Sequence, residues 1–128
     1  MIRYLAIDEV MVIHEKMIEE FGGRSPIHDF TLLHSAVERP RATFNGMDLY
    51  PSIFDKAAAL IHSLILNHPF DDGNKRTAIT SCAAFLSFNR VRLNLPKHES
   101  IQFTLDIDSH KLTLEEIASW LKNHSDSI

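Results

Sequence analysis

The sequence predicts an all-α domain with one small β-hairpin. Apolar residues recur at helical spacing in about six segments, which indicates amphipathic helices packed around one core. One run, residues 57–66, is apolar on nearly every face, and this is typical of a central, buried helix. A single Asn-Gly pair between apolar residues indicates a tight hairpin turn. With 128 residues, the chain is most simply a single domain over residues 1–128.

Composition excludes several classes of protein. The net charge of −4 argues against a general nucleic-acid binder, so no direct DNA binding is expected. A lone cysteine, Cys82, cannot form an intramolecular disulfide and suits a reducing cytoplasm. The first residues lack the apolar core of a signal peptide, and no run is long enough to span a bilayer. We therefore expect a cytoplasmic protein with no membrane association.

The N-terminal third of the chain predicts two helices. Asp8 is the expected cap of the first, which runs to about Phe21 and stops at Gly22-Gly23. Its predicted apolar stripe consists of Val10, Ile13, Met17 and Phe21. Asp29 is the expected cap of the second helix, and Pro40 ends it.

The middle of the chain predicts a flap and two central helices. Residues 41–51 contain the Asn-Gly turn, so Thr43, Phe44, Asn45 and Gly46 are expected to form a small hairpin. Ser52 with Asp55 resembles a capping box that opens the apolar helix, which should end at residue 66 or 67. A second central helix is expected over residues 74–89, where small side chains allow a close approach to its neighbour.

The C-terminal third is less regular. Residues 91–95 alternate and predict a short strand, and residues 99–107 predict a helix. Thr113 and Glu116 form a capping box that opens a last helix to about residue 122. The tail, residues 124–128, is expected to be frayed. Cys82 and Trp120 are expected in the core, His62 is expected to be a hydrogen-bonded core histidine, and Arg39 and Arg41 are expected at the surface or in the flap.

The polar string between the two central helices is the densest group of reactive side chains in the chain. It reads His68, Pro69, Phe70, Asp71, Asp72, Gly73, Asn74, Lys75 and Arg76. A helix that begins at Asn74 presents unpaired N–H groups and the positive end of its dipole, and Gly73 lets the backbone approach a ligand closely. Lys75 and Arg76 in the first turn oppose that dipole, and a bound polyphosphate would relieve the conflict.

The remaining polar residues of the string suit phosphoryl chemistry. Asp72 lies beside the predicted phosphate site, and Mg²⁺ is usually held there by one or two carboxylates together with phosphate oxygens. His68 can act as a general base near neutral pH. Phe70 is expected to anchor the loop in the core. Together these groups predict transfer from a nucleotide to a hydroxyl group.

The whole string resembles the signature of the Fic/Doc (Fido) superfamily: His, Pro, Phe, any residue, Asp or Glu, Gly, Asn, any residue, Arg. Every fixed position of that signature is met. The segments Glu38-Arg39-Pro40, Asn45-Gly46 and Tyr50-Pro51 resemble the death-on-curing (Doc) toxin branch, as do the short length and the Gly-Gly stop of the first helix.

This resemblance implies a compact Fido-type domain of about six helices with a small hairpin flap. It implies that His68 activates a target hydroxyl, that Asp72 holds Mg²⁺, and that Arg76 holds nucleotide phosphate. It also implies that Gly73, Asn74 and Lys75 bind phosphate, with ATP or another nucleoside triphosphate as co-substrate. The flap, residues 41–50, would align a target peptide by strand addition.

Two positions bear on which group is transferred. AMP-transferring members usually have glycine where this chain has Lys75, and a second arginine where it has Ile79. Doc-type toxins carry lysine at the first position, and their family activity is phosphorylation. The resemblance therefore favours a kinase, with AMP transfer (AMPylation) of a protein hydroxyl as the alternative.

The resemblance also predicts regulation by a partner. Self-inhibited members carry a Ser/Thr-x-x-x-Glu-Gly/Asn helix, and no such string occurs here. We therefore expect a toxin of a type II toxin–antitoxin module, inhibited by a small antitoxin whose tail docks across the active-site groove. A translation factor, such as an elongation factor, is the expected protein substrate.

Two other classes stay open. A metal-dependent phosphohydrolase would use His28-Asp29 with His14, His34 or His62 as ligands, although their spacing matches no firm pattern. A catalytically inactive domain would use the same fold only to bind a partner.

Overall fold

The computed structural model describes residues 1–128 as a mainly helical domain with two small antiparallel sheets. The helices are α1 (Ile7–Phe21), α2 (Phe30–Glu38), α3 (Ile53–Asn67), α4 (Asn74–Phe88), α5 (Lys97–Asp108) and α6 (Leu114–Asn123). The strands are β1 (Thr43–Phe44), β2 (Met47–Asp48), β3 (Val91–Leu93) and β4 (Ser125–Ser127). The predicted all-α fold with a hairpin is thereby confirmed. None of the helices combines the length and apolar character needed to cross a bilayer.

Helix α3 is the centre of the molecule. Its side chains from Lys56 to Ile61 are all buried, and it packs against α2, α4, α5 and α6. Ala78 and Cys82 of α4 are fully buried, so small residues bring α4 close to α3 as expected. Burial also raises the pKa of the Cys82 thiol, which stays protonated and inert.

Capping side chains set three of the six helix starts where the sequence predicts them. Ser52 accepts from the Asp55 N–H at 3.0 Å while the Asp55 carboxylate accepts from the Ser52 N–H at 3.3 Å. Thr113 and Glu116 make the same reciprocal pair at 3.1 and 2.9 Å. Asp29 caps α2 by accepting from the Leu32 N–H at 3.0 Å. These short-range signals are reliable because both partners lie within three residues.

The predicted start of α1 is wrong by two residues. Ala6 occupies the capping position, and Asp8 lies in the first turn. The Glu9 carboxylate accepts from the Ala6 N–H at 2.9 Å, so it satisfies an N–H at the helix start. The predicted stripe is also shifted, because Val10 and His14 are buried whereas Phe21 is 55% exposed.

The C-terminal tail is not frayed as predicted. Residues 125–127 form β4, which pairs antiparallel with β3, and the Asn94 N–H donates to the His124 carbonyl at 2.7 Å. The His124 ring stacks on Trp120, with 3.7 Å between ring centroids. Strand β3 presents unpaired backbone groups after α4, and the tail satisfies them.

Candidate active site

The polar string of the sequence forms a loop between α3 and α4, which we call the motif loop (residues 68–73). His68 ends α3 in the left-handed conformation, with φ of +46°. Gly73 opens α4 with φ of +79°, a conformation that favours glycine. The chain therefore reverses between two buried helices and places the motif loop at their common end.

The side chain of Asn74 braces this loop from within. Its Oδ1 accepts from the Phe70 N–H at 3.0 Å, and its Nδ2 donates to the Phe70 carbonyl at 2.9 Å. Both hydrogen-bonding groups of the Asn74 amide are thus engaged by one residue. The backbone N–H of Asn74 has no partner within the helix and can contribute to the predicted anion site.

The segment between α1 and α2 braces the loop from outside. The Pro69 carbonyl accepts from the N–H groups of His28 and Asp29 at 2.7 and 3.0 Å. The Asp71 N–H donates to the Pro26 carbonyl at 3.2 Å, and Ile27 forms a β-bridge with Phe70. The motif loop is therefore one side of a short two-stranded contact.

A buried histidine on α1 supports the loop, and sequence reasoning missed this role. His14 is 2% exposed, its Nε2 donates to the Asp72 carbonyl at 2.8 Å, and its ring stacks on Phe70 at 3.7 Å between centroids. Phe70 is itself buried in the core. The spacing of Val10 and His14, one helical turn apart, was the available signal that His14 faces inward.

A cavity of about 480 Å³ opens beside the motif loop. One wall consists of motif residues: His68 and residues 71–76. The rest of the lining consists of Ile79 from α4 and of Ser100, Ile101, Thr104 and Leu105 from α5. The structure therefore brings together every predicted motif residue except Pro69 and the buried Phe70.

The first turn of α4 gives the cavity the donor groups of an anion site. Asn74, Lys75 and Arg76 are the first three residues of α4, so their N–H groups have no partner within the helix. Lys75 and Arg76 add two cations to the same wall. The Arg76 guanidinium lies over the exposed ring of Phe21, 4.1 Å from its centroid. This stacking holds one face of the guanidinium while its edges stay available for hydrogen bonds.

One further carboxylate, which sequence reasoning did not identify, contacts both His68 and Lys75. Asp108, the last residue of α5, accepts from His68 Nε2 at 3.0 Å and from Lys75 Nζ at 3.1 Å. Partial burial alone would raise the pKa of Asp108, but the hydrogen bond and charge of Lys75, with those of His68, hold it below its usual range. Asp108 is thus ionised at neutral pH.

Asp72 has the chemistry to hold a metal ion together with a phosphate group. Its Oδ2 accepts from the Arg24 N–H at 2.8 Å, while its Oδ1 has no hydrogen bond to protein. A single carboxylate oxygen beside a phosphate site fits Mg²⁺, which takes most of its remaining ligands from phosphate and water. No three His, Cys, Asp or Glu side chains converge elsewhere. The residues that a metal-dependent phosphohydrolase would use therefore do not converge on a metal site.

The flap forms as predicted but lies outside the cavity. Thr43–Phe44 pairs with Met47–Asp48, and Asn45 and Gly46 make the turn with φ of +52° and +77°. None of the four predicted flap residues lines the cavity. Phe44 and Met47 are 69% and 74% exposed, so the hairpin presents apolar side chains to solvent.

Buried polar contacts tie the base of the flap to α3. The ammonium of Lys56, which is 1% exposed, donates to Asp48 Oδ2 at 3.0 Å and to the Tyr50 carbonyl. Arg39 was expected at the surface or in the flap, and it lies beneath the flap. It is half-buried and donates to the Tyr50 hydroxyl and to Ser63 Oγ.

His62 belongs to the same group of contacts. It accepts from Arg39 at its Nδ1 at 2.9 Å and is half-buried, as the predicted hydrogen-bonded histidine should be. Burial first, and then the charges of Arg39 and His110, lower the pKa of His62. The imidazole is therefore neutral and keeps the lone pair that Arg39 uses.

Comparison with known proteins assigns this arrangement to a family. The model of the Fic/DOC family matches residues 4–86, which include α1, the flap, the motif loop and most of α4. The chain belongs to the Fic/DOC family. The family that the motif indicates is thereby confirmed.

Two curated relatives refine the comparison. The chain is similar to "Toxin Doc" of Mycolicibacterium smegmatis, with 52% identity over 73 residues that cover 57% of this chain and 56% of that protein. It is also similar to "Protein kinase doc" of Escherichia phage P1, with 23% identity over 120 residues and 94% of each chain covered. The second alignment spans nearly the whole chain, whereas the match to the family model ends within α4.

Proposed function

We propose that this protein is the toxin of a toxin–antitoxin pair and transfers the γ-phosphoryl group of ATP to a hydroxyl side chain of a protein. The observation that carries the proposal is the single cavity wall formed by His68, Lys75, Arg76 and the first N–H groups of α4. That wall offers a base, two cations and a backbone anion site, which together are what phosphoryl transfer requires.

The reaction follows from these groups. The target hydroxyl oxygen attacks the γ-phosphorus, and its proton passes to the imidazole of His68. The new O–P bond forms as the bond between the γ-phosphorus and the bridging oxygen breaks, and ADP leaves. Lys75, Arg76 and the N–H groups of α4 bind phosphate oxygens and stabilise the charge that accumulates on them. Asp72 would hold Mg²⁺, which supplies further neutralisation of phosphate charge.

Three features support phosphorylation over AMP transfer. Lys75 lines the cavity where AMP-transferring members have glycine, so its ammonium adds charge and bulk at the phosphate site. Ile79 lines the cavity where those members have a second arginine, so one phosphate ligand is missing there. The relative from phage P1 is named a protein kinase.

The relatives and the flap support the partners that we propose. The name "Toxin Doc" supports a small antitoxin as the inhibitor of this chain, and we propose that the antitoxin's tail crosses the cavity. The exposed flap supports a peptide substrate that adds to it as a strand, with a translation elongation factor as the proposed target. The expected site of action is the cytoplasm.

Growth of cells tests the catalytic proposal. Expression of the chain alone should arrest growth, and His68→Ala or Arg76→Ala should abolish the arrest because each removes a group that acts on the phosphoryl transfer. His34→Ala and Arg92→Ala are matched controls, since both side chains are exposed and do not line the cavity, and both should remain toxic. Undiminished arrest by both motif variants would contradict the proposal.

Labelled nucleotide distinguishes the two reactions. Cell lysate is incubated with the protein and ATP labelled at either the α- or the γ-phosphate. Protein-bound label from γ alone is expected, and label from α would establish AMP transfer instead. Failure to bind ATP by calorimetry, together with no label from either position, would favour a domain that only binds a partner.

A further inference from the structure

Asp108 contacts both basic groups that the proposed reaction requires, yet it does not line the cavity. Its two carboxylate oxygens are divided between them, with Oδ1 at 3.0 Å from His68 Nε2 and Oδ2 at 3.1 Å from Lys75 Nζ. His68 and Lys75 both line the cavity, so Asp108 reaches them from outside it. The contacts that Asp108 makes with the site are therefore those with these two side chains.

The contact determines which nitrogen of His68 carries a proton. An ionised carboxylate can only accept a hydrogen bond, so Nε2 must be the donor. In the neutral imidazole the lone pair then lies on Nδ1. Nδ1 of His68 has no hydrogen bond to protein, so it is free to receive a proton.

The place of Asp108 in the fold supports a specific role for this contact. A carboxylate at the last residue of a helix lies at the negative end of the helix dipole, which is locally unfavourable. The contacts with Lys75 and His68 offset that cost, because they place cationic or donor groups on both oxygens. His68 is 40 residues away from Asp108 in sequence, so this contact depends on the fold.

We propose that Asp108 is a positioning residue that holds His68 in the tautomer with the proton on Nε2, so that Nδ1 accepts the proton of the target hydroxyl. The same carboxylate holds Lys75 against the wall of the cavity. This role rests on the proposed phosphoryl transfer for its catalytic consequence, although the tautomer itself does not.

Kinetics of variants at this position test the catalytic consequence. Asp108→Ala should lower kcat for γ-phosphoryl transfer by about 10- to 100-fold, the range found when a carboxylate that orients a metal-ligating histidine is removed. Asp108→Asn keeps an oxygen that can accept from Nε2 and should recover part of the loss. Asp106→Asn, on the same helix with its carboxylate bonded only to Gln102, is the matched control and should match the wild type. A kcat that is unchanged or raised in Asp108→Ala would overturn the proposal.

A second measurement does not need any transferase activity. The ring ¹⁵N chemical shifts of His68, recorded under conditions where the imidazole is neutral, report which nitrogen is protonated. The wild type and Asp108→Asn should show the proton on Nε2, whereas Asp108→Ala should show a mixture. Identical shifts in wild type and Asp108→Ala would overturn the proposal. The expected shifts in a protein that transfers no label would support the positioning role while refuting the proposed reaction.

Discussion

At the scale of single residues, the side chains of the motif have two distinct roles. His68, Lys75 and Arg76 line the cavity with groups that can act on a ligand. Asn74, in contrast, uses its whole amide to close the loop on Phe70. The side chain at a fixed position of the motif can therefore be required for the shape of the loop and not for contact with the reacting atoms.

Replacing Asn74 by alanine should destabilise the protein. The change leaves the N–H and the carbonyl of Phe70 without partners in a buried loop, and each such group costs about 1–3 kcal/mol. The expected result is a lower urea midpoint with an unchanged slope, measured by equilibrium unfolding. Asn123→Ala, at an exposed helix end, is the control. A midpoint equal to that of the wild type would show that Asn74 does not brace the loop.

At the scale of elements, the flap depends on contacts with α3, because its two strands pair over only two residues each. Lys56 of α3 is buried, and its ammonium satisfies both Asp48 and the Tyr50 carbonyl. A two-stranded hairpin alone is marginally stable in water, so these contacts set how well the flap is ordered.

Lys56→Met should loosen the flap while leaving the helices intact. Methionine keeps an apolar stem in the buried site but removes hydrogen bonds from a charged donor, each worth about 1.5–3 kcal/mol. Backbone amides of residues 47–49 should exchange with solvent about 10-fold faster or more, whereas amides of α3 should not change. Lys16→Met, on the exposed face of α1, is the control. Unchanged exchange in the hairpin would refute the anchoring role.

The start of α1 should respond to acid. The hydrogen bond from the Ala6 N–H lowers the pKa of Glu9, burial opposes this, and Arg3 adds to the lowering. Because the folded-state pKa lies below the unfolded value of about 4.3, the stabilisation is complete above that pH. It is lost as the pH falls through the folded-state pKa.

Glu9→Gln should therefore have a lower melting temperature than the wild type at neutral pH. The difference between the two melting temperatures should shrink progressively below about pH 4.3. Thermal unfolding over a pH series measures it. Glu15→Gln, whose side chain is exposed on the same helix, should show no such gap. A difference that persists undiminished at low pH would assign the effect to packing instead of charge.

At the scale of the whole molecule, sequence reasoning predicted what is decided locally. The three side-chain caps at Asp29, Ser52 and Thr113, the Asn-Gly turn and the motif loop all depend on residues within a few positions of one another. The central position of α3 was also predictable, because a helix that is apolar on nearly every face has to be buried.

The contacts that sequence reasoning missed join distant parts of the chain. Asp108 reaches His68 across 40 residues, and His14 reaches Asp72 across 58. Residues 125–127 form a strand because they pair with β3. No pattern within these three residues indicates a strand. Periodicity shows which face of an element is buried, but the partner that the face meets is a property of the assembled fold.

The two-stranded contact between the motif loop and residues 26–29 limits how the motif can be grafted onto another protein. The loop obtains hydrogen bonds to Pro69 and Asp71 from another part of the chain. A graft of the nine motif residues between two helices of a designed bundle would lack that second side and should sample many conformations. A successful graft would have to carry residues 24–29 with it, together with a helix that supplies the equivalent of His14. The smallest portable unit is thus a pair of segments in fixed register.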